Sequence, residues 1–116
     1  AAKTPFNVNG AAQLAAVAAL ADQGWMTTSV AGIRAERARV AVALAALGVR
    51  VAASQTNFLF FDTGRDSAEM ANALLREGLI IKPWREPGYE TWLRSTIGTV
   101  VENDRLIAAV AKIVRP

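Results

Sequence analysis

Between Gly10 and Ala21 the chain carries no charged residue, and Gln13 is the only strongly polar side chain. Asn9 immediately before this run is a natural N-cap, so the pattern predicts a helix from about Gly10 to Ala21. A helix that is apolar on every side is normally covered on every side. Asp22-Gln23-Gly24 is expected to close it. A second helix is predicted from Thr28 or Ser29 to about Leu47, stopped by Gly48. Its seam is Ile33, Val40, Leu44 and Leu47, with Arg34, Glu36, Arg37 and Arg39 on the wetter side.

Beyond Gly48 the period shortens to two. Val49–Ala52 reads as a short strand, Ser54-Gln55-Thr56 as a turn, and Asn57–Asp62 as the strongest strand. Both alternating faces of the Asn57–Phe61 run are apolar, the pattern of a sheet covered on both sides. Thr63-Gly64 breaks it. Asp66 with Glu69 forms a capping-box pattern for a helix ending near Arg76-Glu77-Gly78. Leu79–Lys82 is a predicted strand halted by Pro83, Trp84–Glu90 a loop, and Thr91–Ile97 the last strand. Thr99 and Glu102 form a second capping box, opening a helix to about Val114 that buries Leu106, Ile107, Val110, Ile113 and Val114. Residues Ala1–Val8 read as an extended arm, since Pro5 restricts its neighbour and Asn7 favours turns.

The order is α-α-β-β-α-β-β-α. It predicts an α+β domain: a small, mostly antiparallel sheet with helices packed on it. The chain's own helices can cover one face of that sheet. The other face, like the uncharged first helix, calls for a partner outside this sequence, and the chain alone is expected to self-associate.

Composition narrows the chemistry by exclusion. A chain of 116 residues makes one domain, and it has neither cysteine nor histidine. Disulfides, thiolate nucleophiles, Ser-His-Asp arrangements and most zinc or iron sites are thereby removed. The net charge of +3 is mild and its charges are interspersed, so neither nucleic acid nor a membrane surface is an expected partner. No secretory signal is visible and Gly10–Ala21 is too short to span a bilayer, which makes a cytoplasmic protein the expectation. No phosphate-cradling glycine motif occurs, and Lys3, Lys82 and Lys112 lack the desolvated setting of a Schiff-base lysine. No catalytic residue and no metal ligand is therefore assigned.

What remains is a candidate for recognition. Arg94 sits in Leu93-Arg94-Ser95-Thr96-Ile97-Gly98-Thr99, inside a β-branched run that meets a glycine turn and a helix start. A guanidinium held stiffly in this way suits bidentate capture of a carboxylate or phosphate, and free N–H groups at Gly98-Thr99 would add to it. An edge-strand arginine pairing with a surface acid is the plainer reading. Lys82 and Arg85, flanking Pro83-Trp84, are either a second cationic wall for the same anion or a solvated basic loop. Tyr89 is a loop anchor or a substrate contact. Asn57 positions a ligand or caps its own turn.

Four segments in order carry a family resemblance. They are Thr4-Pro5-Phe6-Asn7-Val8-Asn9 with Ala12-Gln13, then Ser54-Gln55-Thr56-Asn57-Phe58, then Gly78-Leu79-Ile80-Ile81-Lys82-Pro83, and Leu93–Thr99 with Glu102-Asn103. Together they span nearly the whole chain, which resembles the C-terminal portion of histidinol-phosphate-type aminotransferases, pyridoxal-phosphate enzymes of fold type I. The resemblance implies an arm or interdomain linker over residues 1–9 and a small substrate-closing domain over residues 10–116. The large domain, with its Ser-x-x-Lys cofactor lysine, is expected on the N-terminal side of Ala1. Arg94 would then bind the acidic or phosphorylated group of substrate, Lys82 would sit near the same anion, and Asn57 would lie beside the cleft. Pyridoxal 5'-phosphate is implied for the intact enzyme, a homodimer of histidine biosynthesis, and none for this chain alone, which would be inactive. An aromatic amino acid aminotransferase shares these motifs, and a free-standing anion- or amino-acid-binding module is the alternative from another class.

Overall fold

The computed structural model describes residues 8–114, so most of the expected N-terminal arm and the Thr4–Asn7 part of the first motif lie outside the described residues. The described residues fall into two compact units, one up to Gly32 and one from Ile33 onward.

In the first unit, helix α1 spans Gly10–Ala21 and Asn9 caps it through a hydrogen bond accepted from the Ala12 N–H (2.9 Å). None of its residues is buried, and Leu14, Val17 and Leu20 are 75%, 69% and 68% exposed. Helix α2 runs Gln23–Ala46 and begins five residues before the expected Thr28. The cause is Asp22. Its N–H donates to the Ala19 carbonyl, ending α1, while its carboxylate accepts the Trp25 N–H at 3.0 Å, starting α2. One aspartate thus ends one helix and starts the next.

In the second unit, strands β1 (Arg50–Val51), β2 (Phe58–Asp62), β3 (Lys82–Pro83) and β4 (Trp92–Thr96) form one antiparallel sheet in the order β1-β2-β4-β3. Helices α3 (Ser67–Arg76) and α4 (Val100–Val114) complete the predicted α+β architecture. The core joins Val40 and Leu44 of α2, Leu59 and Phe61 of β2, Leu93 of β4, Met70 and Leu74 of α3, and Leu106 and Val110 of α4. Burying one such aliphatic or aromatic side chain contributes about 1.5–3 kcal/mol, so this face of the sheet dominates stability. Both expected helix starts are present. Asp66 accepts the Ala68 and Glu69 N–H groups, and Thr99 and Glu102 bond each other reciprocally.

Two expectations are corrected. The strand expected over Leu79–Lys82 is only Lys82–Pro83, because Gly78 turns with φ +78° and the Leu79 N–H is held by the Leu74 carbonyl of α3. Residues 79–81 therefore follow α3 rather than β4, and Pro83 is tolerated because β3 is an edge strand. The second sheet face is also partly covered by the chain itself. Phe60 packs on Trp92 (ring centroids 4.6 Å apart), Trp84 (5.3 Å) and Tyr89 (5.8 Å). The loop bearing Trp84 and Tyr89 is pinned by Ser67, whose hydroxyl donates to the Trp84 carbonyl at 2.8 Å.

Candidate functional site

The ladder register decides which side chains share the aromatic face. Lys82 is opposite Arg94, and Arg94 is opposite Phe60, so these three form one row across β3, β4 and β2. Arg94 and Lys82, well separated in sequence, are brought side by side. Each rests on an aromatic ring: Lys82 Nζ lies 4.7 Å from the Trp84 centroid, and the Arg94 guanidinium 5.1 Å from that of Phe58. Among the described residues neither forms an ion pair, whereas Arg39, Arg50 and Lys112 are all paired with carboxylates.

Where residues 79–81 part from β4, a pocket of ≈ 590 Å³ opens. Lys82 and Arg94 line it together with Gly98, Glu102, Asn103 and Arg105. Arg85 does not; it lines a separate hollow with Ala68, Asn72 and Leu75, so of the two flanking cations only Lys82 joins Arg94. Tyr89 anchors its loop, accepting the Trp92 N–H through its carbonyl while its ring meets Phe60. Asn57 precedes β2 and is exposed; its carbonyl accepts the Ile97 N–H at 2.8 Å. The turn it follows is held by the hydroxyls of Ser54 and Thr56, not by its amide, which corrects the capping reading. Asn57 therefore lies near the Ile97 end of β4, outside the residues lining the pocket.

The expected free N–H groups after Arg94 are not free. Gly98 N–H donates to Asn103 Oδ1 (3.0 Å) and Thr99 N–H to Glu102 Oε2 (2.8 Å). These two N–H groups are therefore not available to an anion, and the positive charge lining the pocket is that of side chains. Hydrogen bonds from the Thr99 backbone and hydroxyl hold the Glu102 carboxyl below the usual carboxylate range. Glu102 also explains the glycine. A Cβ at position 98 would stand 2.6 Å from Glu102 Oε2, so residue 98 is small because the capping carboxylate folds over it.

Sequence reasoning passed over the part played by Asn103, which is 2% exposed and lines this pocket. The Glu102-Asn103 pair was visible as a motif, but nothing in one sequence showed that Asn103 would meet Glu36, sixty-seven residues earlier. Glu36, placed on the wetter side of α2, is held at a pKa of about 2 by hydrogen bonds from Arg39 and Asn103.

The described residues do not fit a pyridoxal-phosphate site. Lys112 is bound to Glu77 at 2.7 Å and Lys82 is exposed over Trp84, so neither is a desolvated Schiff-base lysine; Lys3 lies outside the described residues. No group of three or more His, Cys, Asp or Glu side chains suited to a metal ion occurs among the described residues. None of their helices is long and apolar enough to cross a membrane.

Residues 1–110 match the family model for aminotransferase class I and II. The chain is 46% identical over 112 residues to histidinol-phosphate aminotransferase 3 of Rhizobium meliloti (strain 1021), covering 97% of this chain and 30% of that protein. Among solved structures, histidinol-phosphate aminotransferase from Sinorhizobium meliloti in complex with pyridoxal-5'-phosphate superposes with a TM-score of 0.75 at 29% identity, over 87% of this chain and 29% of that one. The histidinol-phosphate aminotransferase from Clostridium acetobutylicum, at 23% identity, shares the fold with a TM-score of 0.83 over 97% of this chain and 35% of that one. The chain thus spans about 30% of the length of the curated relatives it matches.

Proposed function

The chain belongs to the class I and II aminotransferases, and from that premise we propose that residues 10–116 are the small domain that closes over substrate in a longer, histidinol-phosphate-type enzyme. Residues 1–9 would be the arm or linker leading into it. The observation that carries this reading is the Lys82–Arg94 pair, two cations side by side in the lining of one pocket with no ion-pair partner among the described residues. Arg94 binds the acidic group of the substrate, the carboxylate of glutamate in one half-reaction and the phosphate of histidinol phosphate in the other. Its planar fork fixes the orientation of that group, and Lys82 adds a point charge beside it. Asn57, outside the pocket, acts indirectly through the end of β4.

The remaining chemistry belongs to a large domain outside this sequence. Pyridoxal 5'-phosphate, held on a lysine there, supplies the electron sink for amino transfer to 2-oxoglutarate. This chain contributes recognition and positioning of the reacting centre. Alone it neither retains the cofactor nor transaminates, and the intact protein is a cytoplasmic homodimer of histidine biosynthesis. The test is the longer reading frame, purified with its cofactor absorbance and assayed on histidinol phosphate against phenylalanine. Arg94→Ala should impair acidic substrates far more than cofactor retention. Equal loss of both, or a preference for phenylalanine, would reject the assignment.

A further inference from the structure

The buried amide of Asn103 uses both of its donors and its oxygen. Its Oδ1 accepts the Gly98 N–H at 3.0 Å, and its Nδ2 donates to the Gly98 carbonyl at 3.0 Å and to Glu36 Oε2 at 2.8 Å. One side chain thus clasps both backbone groups of the residue that ends the Arg94 segment. Of the two ways an amide can face, only the one presenting NH₂ to Glu36 is compatible with a carboxylate there. Glu36 is itself fixed, receiving Arg39 Nε at 2.9 Å and a second Arg39 nitrogen at 2.8 Å, while Arg39 also reaches Asp104 of α4 at 2.7 Å.

We propose that Asn103 is a positioning residue for the anion pocket, and that Glu36 on α2 sets its orientation. Gly98, Glu102 and Asn103 line the same pocket as Lys82 and Arg94. The Glu36–Asn103–Gly98 chain keeps that part of the lining at a fixed spacing from the two cations, and the Arg39–Asp104 ion pair ties α4 to α2. A buried network with every partner satisfied rigidifies its surroundings, and one lost donor unsettles the whole of it. The inference rests on the anion-binding reading of the pocket.

The test uses the 116-residue chain, inorganic phosphate as probe, and amide NMR at Gly98 and Arg94. Asn103→Asp keeps the size, removes both donors and sets a second carboxylate against Glu36. It should weaken phosphate binding about tenfold, the scale of an unsatisfied buried polar group. Pairing it with Glu36→Gln exchanges the carboxylate and the amide. The double variant should recover part of the loss, because the new amide at position 36 can donate to the new carboxylate at position 103 while the Gly98 carbonyl stays without its donor. A double variant no better than Asn103→Asp, or an Asn103→Asp chain binding phosphate like the parent, would overturn the inference. If the parent takes up no phosphate, the pocket reading fails separately. Hydrogen exchange at the Gly98 amide then decides the clasp: protection should fall in Asn103→Asp and return in the double variant, and unchanged protection overturns it. Should Asn103→Asp fail to fold, Glu36→Gln alone must speed exchange at Gly98 while leaving Leu93 protected; if it does not, the inference is wrong.

Discussion

Lys82 and Arg94 face each other directly across the β3–β4 ladder, with no carboxylate among the described residues paired to either. Like charges directly opposite one another destabilise a sheet. Their aromatic seats on Trp84 and Phe58 offset part of that cost, and an anion bound as proposed between them would offset more.

Phosphate should therefore raise the stability of the chain. At a concentration about a hundredfold above Kd the gain is about 2.7 kcal/mol, read as a shift of the thermal or urea midpoint. Arg94→Ala should abolish that gain, and Arg94→Lys should retain a minor part because the bidentate fork is lost. Lys82→Ala should reduce it while leaving the phosphate-free midpoint unchanged or slightly raised. An undiminished phosphate response in Arg94→Ala would remove the site.

Gly98→Ala tests the capping box. Gly98 does not have positive φ, so the substitution brings no backbone strain and acts through the 2.6 Å approach of its Cβ to Glu102. Displacing that carboxylate should cost about 1 kcal/mol, the scale of a lost N-cap. In a Glu102→Ala background the same change should cost less, because only the 3.2 Å approach to the retained Cβ remains. Additive losses in urea denaturation would show that the contact is not the cause.

Elements that combine a hydrophobic period with a capping residue are legible in the amino-acid sequence itself. Helix α1 carries Asn9, α3 carries Asp66 and α4 carries Thr99 with Glu102, and all three begin where those caps place them. The misreadings fall where a residue serves two masters. Asp22 caps α2 as well as ending α1, so α2 starts earlier than its seam suggests. Leu79–Ile81 has strand composition, yet the Leu74 carbonyl of α3 holds Leu79 and the ladder is confined to Lys82–Pro83. The site is only partly legible. Arg94 and Lys82 stand out as stiff cations, but their adjacency depends on the register of β3 and β4. The clasp between Glu36 and Asn103 joins α2 to α4, a pairing that no local pattern encodes.

Acid should loosen the fold through the same clasp. Hydrogen bonds from Arg39 and Asn103 lower Glu36 from 4.5 to about 2, so its folded-state pKa lies below its unfolded one. Its contribution is fully present above about pH 4.5 and is lost as pH falls toward 2. Glu102 adds in the same direction through its Thr99 bonds. Burial pushes Asp62 up, but hydrogen bonds from Thr91, Gly64 and Arg50 outweigh it and lower it on balance. Urea midpoints measured from about pH 6 to about pH 3 should fall, and Glu36→Gln should fall less steeply than the parent. Parallel curves would mean that Glu36 is not coupled to folding.

The chain should associate with itself through α1. An uncharged helix of twelve residues with no buried position presents Leu14, Val17 and Leu20 to solvent, and Trp25 at the start of α2 is 68% exposed. Apolar surface of that kind gains about 25 cal/mol per Å² when it leaves water, and no charge on α1 opposes contact between copies. Leu14 and Val17 lie three residues apart, and Leu20 three further on, so the three line one side of the helix. Sedimentation should show mass rising with protein concentration. Leu14→Lys with Val17→Glu should return the chain to a monomer while leaving the core around Phe61 and Leu93 intact, as judged by their amide protection. A parent chain that sediments as a monomer up to high concentration would remove the idea, and an associating double variant would move the contact away from α1.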